Sequence, residues 1–286
     1  MGSMSKPAGR PSLSRGTSLD GARVLITGGT SGVGLRLAQG AVARGAGVVL
    51  WARDAERGER VSAGLGDRAS FASVDVTDAA AVERAAAAAG PVDVLVNCAG
   101  VVTGKPLLEA SEQEIRRTYE VNTLALYWVT KAVLPGMLER DAGTVVTVSS
   151  AAGLLGTARL SDYAGSKHAA VGFTEALRAE LRGRRSAVKT LVVCPFFITT
   201  GMFAGVRTRF PRLLPLLDET EVAERVLDCV ERGGARLVLP PLVRLLPVLR
   251  ALPVGGFDAL VDFFGVNRAM DEFTGRSATG PSGGKA

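Results

Sequence analysis

The 286-residue chain contains one histidine, three cysteines and only 5% aromatic residues. Each scarcity excludes something. A single histidine, His168, cannot build a histidine-rich zinc site, and it leaves no imidazole for a histidine-based triad elsewhere. Cys98, Cys194 and Cys229 lie far apart, each in an apolar run, so they read as buried thiols of a reducing compartment rather than as metal ligands. No metal is expected. A nucleic-acid face would combine basic residues with stacking rings, and rings are scarce; the net charge of +6 is spread along the chain, densest at Arg182/Arg184/Arg185 and Arg207/Arg209/Arg212. An anionic cofactor or a membrane surface stays compatible with that charge. No run reaches the ~20 predominantly apolar residues needed to span a bilayer. Residues 1–20, rich in Ser, Gly, Arg and Pro, carry no apolar core, so neither a secretory signal nor an anchor is expected. They read as a disordered tail, as does the Gly/Ser-rich stretch 274–286. A cytoplasmic location is the expectation.

What the chain has is 47% hydrophobic residues, enough for one large core. Short β-branched or apolar runs at 22–27, 48–51, 69–74, 92–96, 144–148 and 188–193 predict strands. Between them lie helical patterns at 35–45, 54–63 and 79–89, a long helix over 112–138 and another starting near Ser161; Thr77-Asp78 predicts the cap of the alanine-rich third helix. Strands alternating with helices force right-handed crossovers and a parallel, doubly wound α/β sheet in a single domain.

Two local patterns carry chemistry. The first strand ends in Thr27-Gly28-x-x-x-Gly32-x-Gly34, immediately before a helix. Glycines there permit positive φ, let backbone approach a pyrophosphate, and let the helix pack closely on its strand, with phosphate oxygens on the unpaired helix N–H groups. The second pattern is Tyr163-x-x-x-Lys167, thirteen residues after Ser150. Four residues apart on a helix, the phenol and the ammonium share a face. A phenol ordinarily deprotonates near ~10, so acid–base work near neutrality needs a nearby positive field, which Lys167 and a nicotinamide ring could supply.

Together these motifs resemble the short-chain dehydrogenase/reductase family over about residues 21–195. The match adds Asp75 after the third strand, Asn97-Cys-Ala-Gly100 after the fourth, and Asn122 in the long helix. The resemblance implies a Rossmann-type fold, a nicotinamide cofactor and a catalytic tetrad of Asn122, Ser150, Tyr163 and Lys167. It implies that Tyr163 exchanges the proton of the substrate oxygen and that Ser150 orients that oxygen. Lys167 would lower the tyrosine pKa and hold the nicotinamide ribose, and Asn122 would hold a water linking Lys167 to solvent. The cofactor would contact Gly28, Thr30, Ser31, Gly32, Val33 and Gly34, then Asp75 and Val76 at adenine. Asn97, Ala99, Gly100, Tyr163, Lys167, Pro195, Ile198 and Thr200 would complete that contact. A homodimer or homotetramer is also implied, with 112–138 and the Tyr163 helix as interface elements.

After the second strand the chain reads Ala52-Arg53-Asp54. An acidic residue at 52 would accept from a ribose 2′-hydroxyl; alanine there, followed by an arginine able to fork onto a 2′-phosphate, predicts NADP(H), with NAD as the alternative. Asp54 also reads as a helix cap, and Asp93 as a structural carboxylate.

Beyond Pro195, the segments Cys194-Pro-Phe-Phe-Ile-Thr-Thr-Gly-Met-Phe203, 213–217 and 267–273 are similar to the branch containing epidermal-type retinol dehydrogenases and hydroxysteroid dehydrogenases. Phe196, Phe197, Met202 and Phe203 predict a greasy substrate wall on a loop over 195–217, suited to a lipophilic alcohol or carbonyl compound. The expected organisation is a catalytic domain over 21–240, then an apolar segment over 241–273. Within it 240–254, interrupted by prolines and arginines, is either a lid or a surface that rests peripherally on a membrane. The alternatives in function are a polyketide-type ketoreductase and a dinucleotide-binding sensor without turnover.

Overall fold

A computed structural model describes residues 16–275. Among these, the strands β1 (Arg23–Thr27), β2 (Gly47–Ala52), β3 (Ala69–Ser73), β4 (Val94–Asn97), β5 (Thr144–Val148), β6 (Lys189–Pro195) and β7 (Arg236–Leu239) form one sheet. The order is β3-β2-β1-β4-β5-β6-β7, and every neighbouring pair is parallel. The helices are α1 (Gly32–Ala43), α2 (Ala55–Leu65), α3 (Ala79–Ala89), α4 (Glu112–Tyr119), α5 (Ala125–Glu139), α6 (Ser161–Gly183), α7 (Glu219–Arg232), α8 (Leu246–Leu249) and α9 (Val254–Phe263). The doubly wound parallel sheet expected from the alternation is therefore present, and β7 and α7 extend it past the segments assigned from sequence.

Strand alternation sends successive side chains to opposite faces, and helices cover both. Val24 and Ile26 of β1 enter one core with Leu37 and Ala41 of α1 and Val226 of α7. Leu25 enters the other, with Val82 of α3 and Val129 of α5. The helices begin where the sequence provides acceptors: Asp54 accepts from Arg57 N at 3.0 Å, and Asp78 from Ala80 N and Ala81 N at 2.9 and 3.0 Å. Thr77 does not share that cap; its hydroxyl binds Asp75 at 2.7 Å. Asp93 receives Arg23 N at 2.8 Å, a structural role.

Chain direction out of β1 decides where a ligand can enter. Its neighbours are β2 on one side and β4 on the other, so the connections after β1 and β4 diverge and open a crevice at the carboxyl ends of the strands.

Two expectations need correction. The helix predicted over 112–138 is broken by a π-turn at Glu120–Leu124 between α4 and α5. Nothing in Glu-Val-Asn-Thr-Leu breaks a helix; the widened turn accompanies tertiary bonds made by the fully buried Asn122 side chain. The tail predicted through residue 20 also ends earlier, because Leu19 is completely buried and the Thr17 hydroxyl lies 2.8 Å from that of Thr144. Residues 1–15 and 276–286 lie outside the described part.

Candidate active site

The glycine turn follows β1 directly. Gly28 and Gly32 adopt φ of +68° and +52°, a region that side chains disfavour. A Cβ at Gly28 would stand 3.0 Å from Ala99 Cα, and one at Gly34 would collide with the Gly28 carbonyl oxygen. Close packing of turn, helix and neighbouring strand thus needs glycine at both. The first turn of α1 carries no acidic residue, leaving its N-terminal dipole to favour an anion. These features fit a pyrophosphate.

From this turn a cleft of about 510 Å³ runs across the carboxyl ends of the strands to Tyr163. It gathers Thr30, Ser31, Val33, Arg53, Asp75, Val76, Ala99, Gly100, Ser150, Lys167, Pro195, Ile198 and Thr200, with the three glycines. Two of the residues expected there do not line it. Asn97 points the other way, its Nδ2 donating to Thr130 Oγ1 of α5 at 3.2 Å, because strand alternation turns that position toward the helix. Asn122 stands behind Gly100: its Oδ1 accepts from Val101 N at 2.8 Å, and its Nδ2 donates to Val101 O and Ser166 Oγ at 2.9 and 3.0 Å. Both Nδ2 hydrogens are thus used by protein, while the carbonyl oxygen accepts a single bond and keeps a second lone pair.

At the adenosine end, burial pushes the Asp75 carboxyl up, but hydrogen bonds from Thr77 N and Oγ1, with the charges of Arg117 and Arg53, bring it below its usual range. Sequence reasoning missed Arg57 and Arg117, which also line the cleft. Arg57 was accessible to it: one helical turn after Asp54, it reaches back to donate from Nε to Thr30 O at 3.1 Å. Arg117 comes from α4, and no local pattern connects it with residues 53–75.

At the other end, Ser150 and Tyr163 line the cleft together; the Ser150 hydroxyl donates to Pro195 O at 3.4 Å and accepts from Ala152 N at 3.1 Å. Ser149 is unavailable, its hydroxyl donating to Lys167 O at 2.9 Å in the core. Lys167 Nζ donates to Val148 O at 3.0 Å and lies 5.7 Å from the centre of the Tyr163 ring. Burial pushes the Tyr163 phenol up to about 12, against the lowering influence of the neighbouring Ser150 hydroxyl. Burial likewise brings Lys167 down to about 8. Without cofactor, burial dominates both groups, whereas the lowering of the phenol implied for Lys167 acts together with a nicotinamide ring.

The substrate side is aromatic. Phe203 stands edge-on to Tyr163 at 5.9 Å between ring centres, and Phe197 to Phe203 at 5.3 Å. Phe196, Met202 and Phe203 line the cleft, whereas Phe197 is buried behind them and lines a small adjoining cavity.

The short chain dehydrogenase family profile matches residues 22–210. The chain belongs to the short-chain dehydrogenase family. It is accordingly an oxidoreductase acting on CH–OH groups with a nicotinamide dinucleotide. Epidermal retinol dehydrogenase 2 of Mus musculus is 36% identical over 264 residues, covering 88% of this chain and 85% of that one. Retinol dehydrogenase 10 of Rattus norvegicus is 32% identical, covering 90% and 86%. Among solved structures, a short-chain dehydrogenase/reductase from Burkholderia phymatum in complex with NAD superposes with a TM-score of 0.73 at 28% identity, over 82% of this chain and 93% of that one. Within its family this short-chain dehydrogenase therefore resembles the retinol dehydrogenase branch. Among its described residues, no helix is long and apolar enough to cross a membrane, and no cluster of His, Cys, Asp and Glu could hold a metal.

Proposed function

We propose that this short-chain dehydrogenase is an NADP(H)-dependent enzyme that interconverts a lipophilic alcohol and its aldehyde or ketone, of retinoid, steroid or aryl-ketone type. The observation that carries the reading is that Ser150, Tyr163 and Lys167 line one end of the cleft that begins in the glycine turn, with Tyr163 edge-on to the Phe203 wall at 5.9 Å. When bound, the nicotinamide supplies or accepts the hydride. Tyr163 donates its phenolic proton to the carbonyl oxygen during reduction and takes it back during oxidation, and a phenol held protonated is ready for the first task. Ser150 orients that oxygen. Lys167 stands one helical turn behind the phenol, where it can reach the ribose.

Arg53 and Arg57, with Ala52 in place of a carboxylate, favour a 2′-phosphate over a bare ribose. Similarity to retinol dehydrogenases favours a lipophilic substrate, as does the cleft's aromatic wall. We further infer a catalytic unit over 21–240 and a homodimer or homotetramer joined through the stretch 112–138, where Tyr119, Leu124 and Tyr127 are exposed, and through α6. The segment 241–273 would meet a membrane surface peripherally.

The deciding experiment measures initial rates with all-trans-retinal and a panel of bulky aryl ketones, using NADPH and NADH in parallel, on wild type and Tyr163→Phe. Turnover confined to wild type and faster with NADPH is the expected result. Activity kept in Tyr163→Phe would remove the tyrosine acid. Cofactor binding without turnover on any carbonyl would favour a dinucleotide sensor, and turnover only of β-keto compounds would favour a polyketide-type ketoreductase.

A further inference from the structure

Next to Tyr163 stands a carboxylate that the reaction does not use. Asp162 is only 5% exposed, and its partners are hydroxyls rather than a cation. Thr103 Oγ1 lies 2.9 and 2.8 Å from its two oxygens. Thr118 Oγ1 lies 2.9 Å from Oδ2 and shares its proton with Glu114 O at 3.0 Å. A carboxylate removed from water is costly unless hydrogen-bonded, and here it is the one acidic residue in the first turn of a 23-residue helix whose N-cap, Leu160, offers no side-chain acceptor.

The three partners come from three different places. Thr103 belongs to the loop after β4 that carries Ala99 and Gly100 into the cleft, Thr118 to α4 just before the π-turn, and Asp162 to the start of α6. The same three segments meet again one helical turn further on. Val101 is held by Asn122, Asn122 by Ser166, and Ser166 Oγ donates to Tyr163 O at 2.7 Å. The hydrogen bonds thus close a ring: Thr103 to Asp162, along one turn of α6 to Ser166, across to Asn122, and back to Val101. Tyr163 sits on the α6 side of it.

We propose that Asp162 is a positioning residue, which clamps the loop 101–104 and α4 to the first turn of α6 and so holds Tyr163 at a fixed distance from the nicotinamide side of the cleft. This rests on Tyr163 being the proton donor. Without the clamp the apolar residues beside it, Leu160 and Ala164, still anchor the first turn of α6 in the core, but the phenol and the loop facing it lose their mutual register. A misplacement of about 1 Å is enough to slow a reaction about 100-fold.

The test uses Asp162→Ala, Asp162→Asn and the double variant Thr103→Val/Thr118→Val, which keeps the carboxylate and nearly the same side-chain volume. Two readouts are combined. In the protein without cofactor, hydrogen exchange of 98–106 and of 161–168 rises together, by about tenfold, while β2 and β3 keep wild-type protection. With NADPH and all-trans-retinal, or the best carbonyl of the panel, kcat falls 10- to 100-fold in Asp162→Ala. NADPH affinity, read by nicotinamide fluorescence, stays within threefold, and Asp162→Asn recovers part of the loss. Unchanged exchange in 98–106 overturns the clamp, as does kcat within twofold of wild type in a folded Asp162→Ala. Should that variant fail to fold, the double threonine variant decides by the same two readouts. Failure here leaves Tyr163→Phe inactive as before, so it is distinguishable from failure of the tyrosine mechanism, in which Tyr163→Phe itself stays active.

Discussion

Lys167 Nζ stands 5.7 Å from the centre of the Tyr163 ring, and the same burial drives both groups toward neutrality, the phenol up to about 12 and the ammonium down to about 8. The cofactor-free protein therefore buries its lysine at an energetic cost.

That disadvantage predicts a pH-dependent stability. Between about 8 and the ordinary 10.5 the unfolded chain binds a proton on Lys167 that the native protein does not, so stability from this group rises with pH across that window. Below about 8 both states are protonated and the full penalty, roughly 3 kcal/mol, is present. Replacement by methionine removes it and leaves Val148 O without its donor, a loss of about 1 kcal/mol. Cofactor-free Lys167→Met should thus be more stable than wild type at pH 7 in urea denaturation, with the gap closing by pH 10.5. A pH-independent gap, or a less stable variant at pH 7, would show that the buried ammonium is not the source.

Arg53 and Arg57 should set the cofactor preference. A charge-assisted contact to phosphate is worth about 2 kcal/mol, or roughly 30-fold in affinity. Arg53→Asp should lower NADPH affinity by about that factor while NADH affinity holds or improves, and adding Arg57→Ala should deepen the loss. Fluorescence titration with both cofactors checks this; equal losses for both would mean that the arginines support the loop rather than read the phosphate.

The parallel sheet, the glycine turn and the Ser150–Tyr163–Lys167 set were legible because each depends on local spacing: β-branched runs, a strand followed at once by glycines, and two side chains one helical turn apart. What stayed illegible depends on distant contacts. The π-turn at Asn122 answers to Val101 and Ser166, not to its own neighbours, and Arg117 reaches the adenosine end only because α4 folds across it. The orientation of Asn97 away from the cleft, toward Thr130, needed the strand's exact register. Raised and lowered pKa values at Tyr163 and Lys167 required burial, which spacing alone does not report.

Gly34→Ala should separate packing from conformation in the nucleotide turn. Gly34 is helical, so alanine is favoured locally, yet its Cβ would collide with the Gly28 carbonyl oxygen. Overpacking of this kind costs about 1–3 kcal/mol. The variant should melt several degrees lower and bind either cofactor more weakly, because the turn that approaches the pyrophosphate must shift. Unaltered melting and binding would mean that α1 can move away from β1 without consequence.

The segment after β7 presents Leu245, Val248, Leu252 and Val254 at 50, 71, 45 and 77% exposure, beside exposed Arg244 and Arg250. Full burial of one such side chain gives roughly 1.5–3 kcal/mol, and each arginine near an anionic lipid surface about 1 kcal/mol. Together these suffice for reversible attachment. The protein should float with phosphatidylserine-containing vesicles at low salt and release as salt rises, while Leu245→Asp/Val248→Asp should abolish flotation and leave turnover of a small water-soluble ketone unchanged. If wild type ignores such vesicles, and the double variant instead raises KM for bulky substrates in lipid-free solution, the segment is a lid over the cleft. The two outcomes separate because a lid must touch the substrate, whereas a membrane contact acts only where there is lipid.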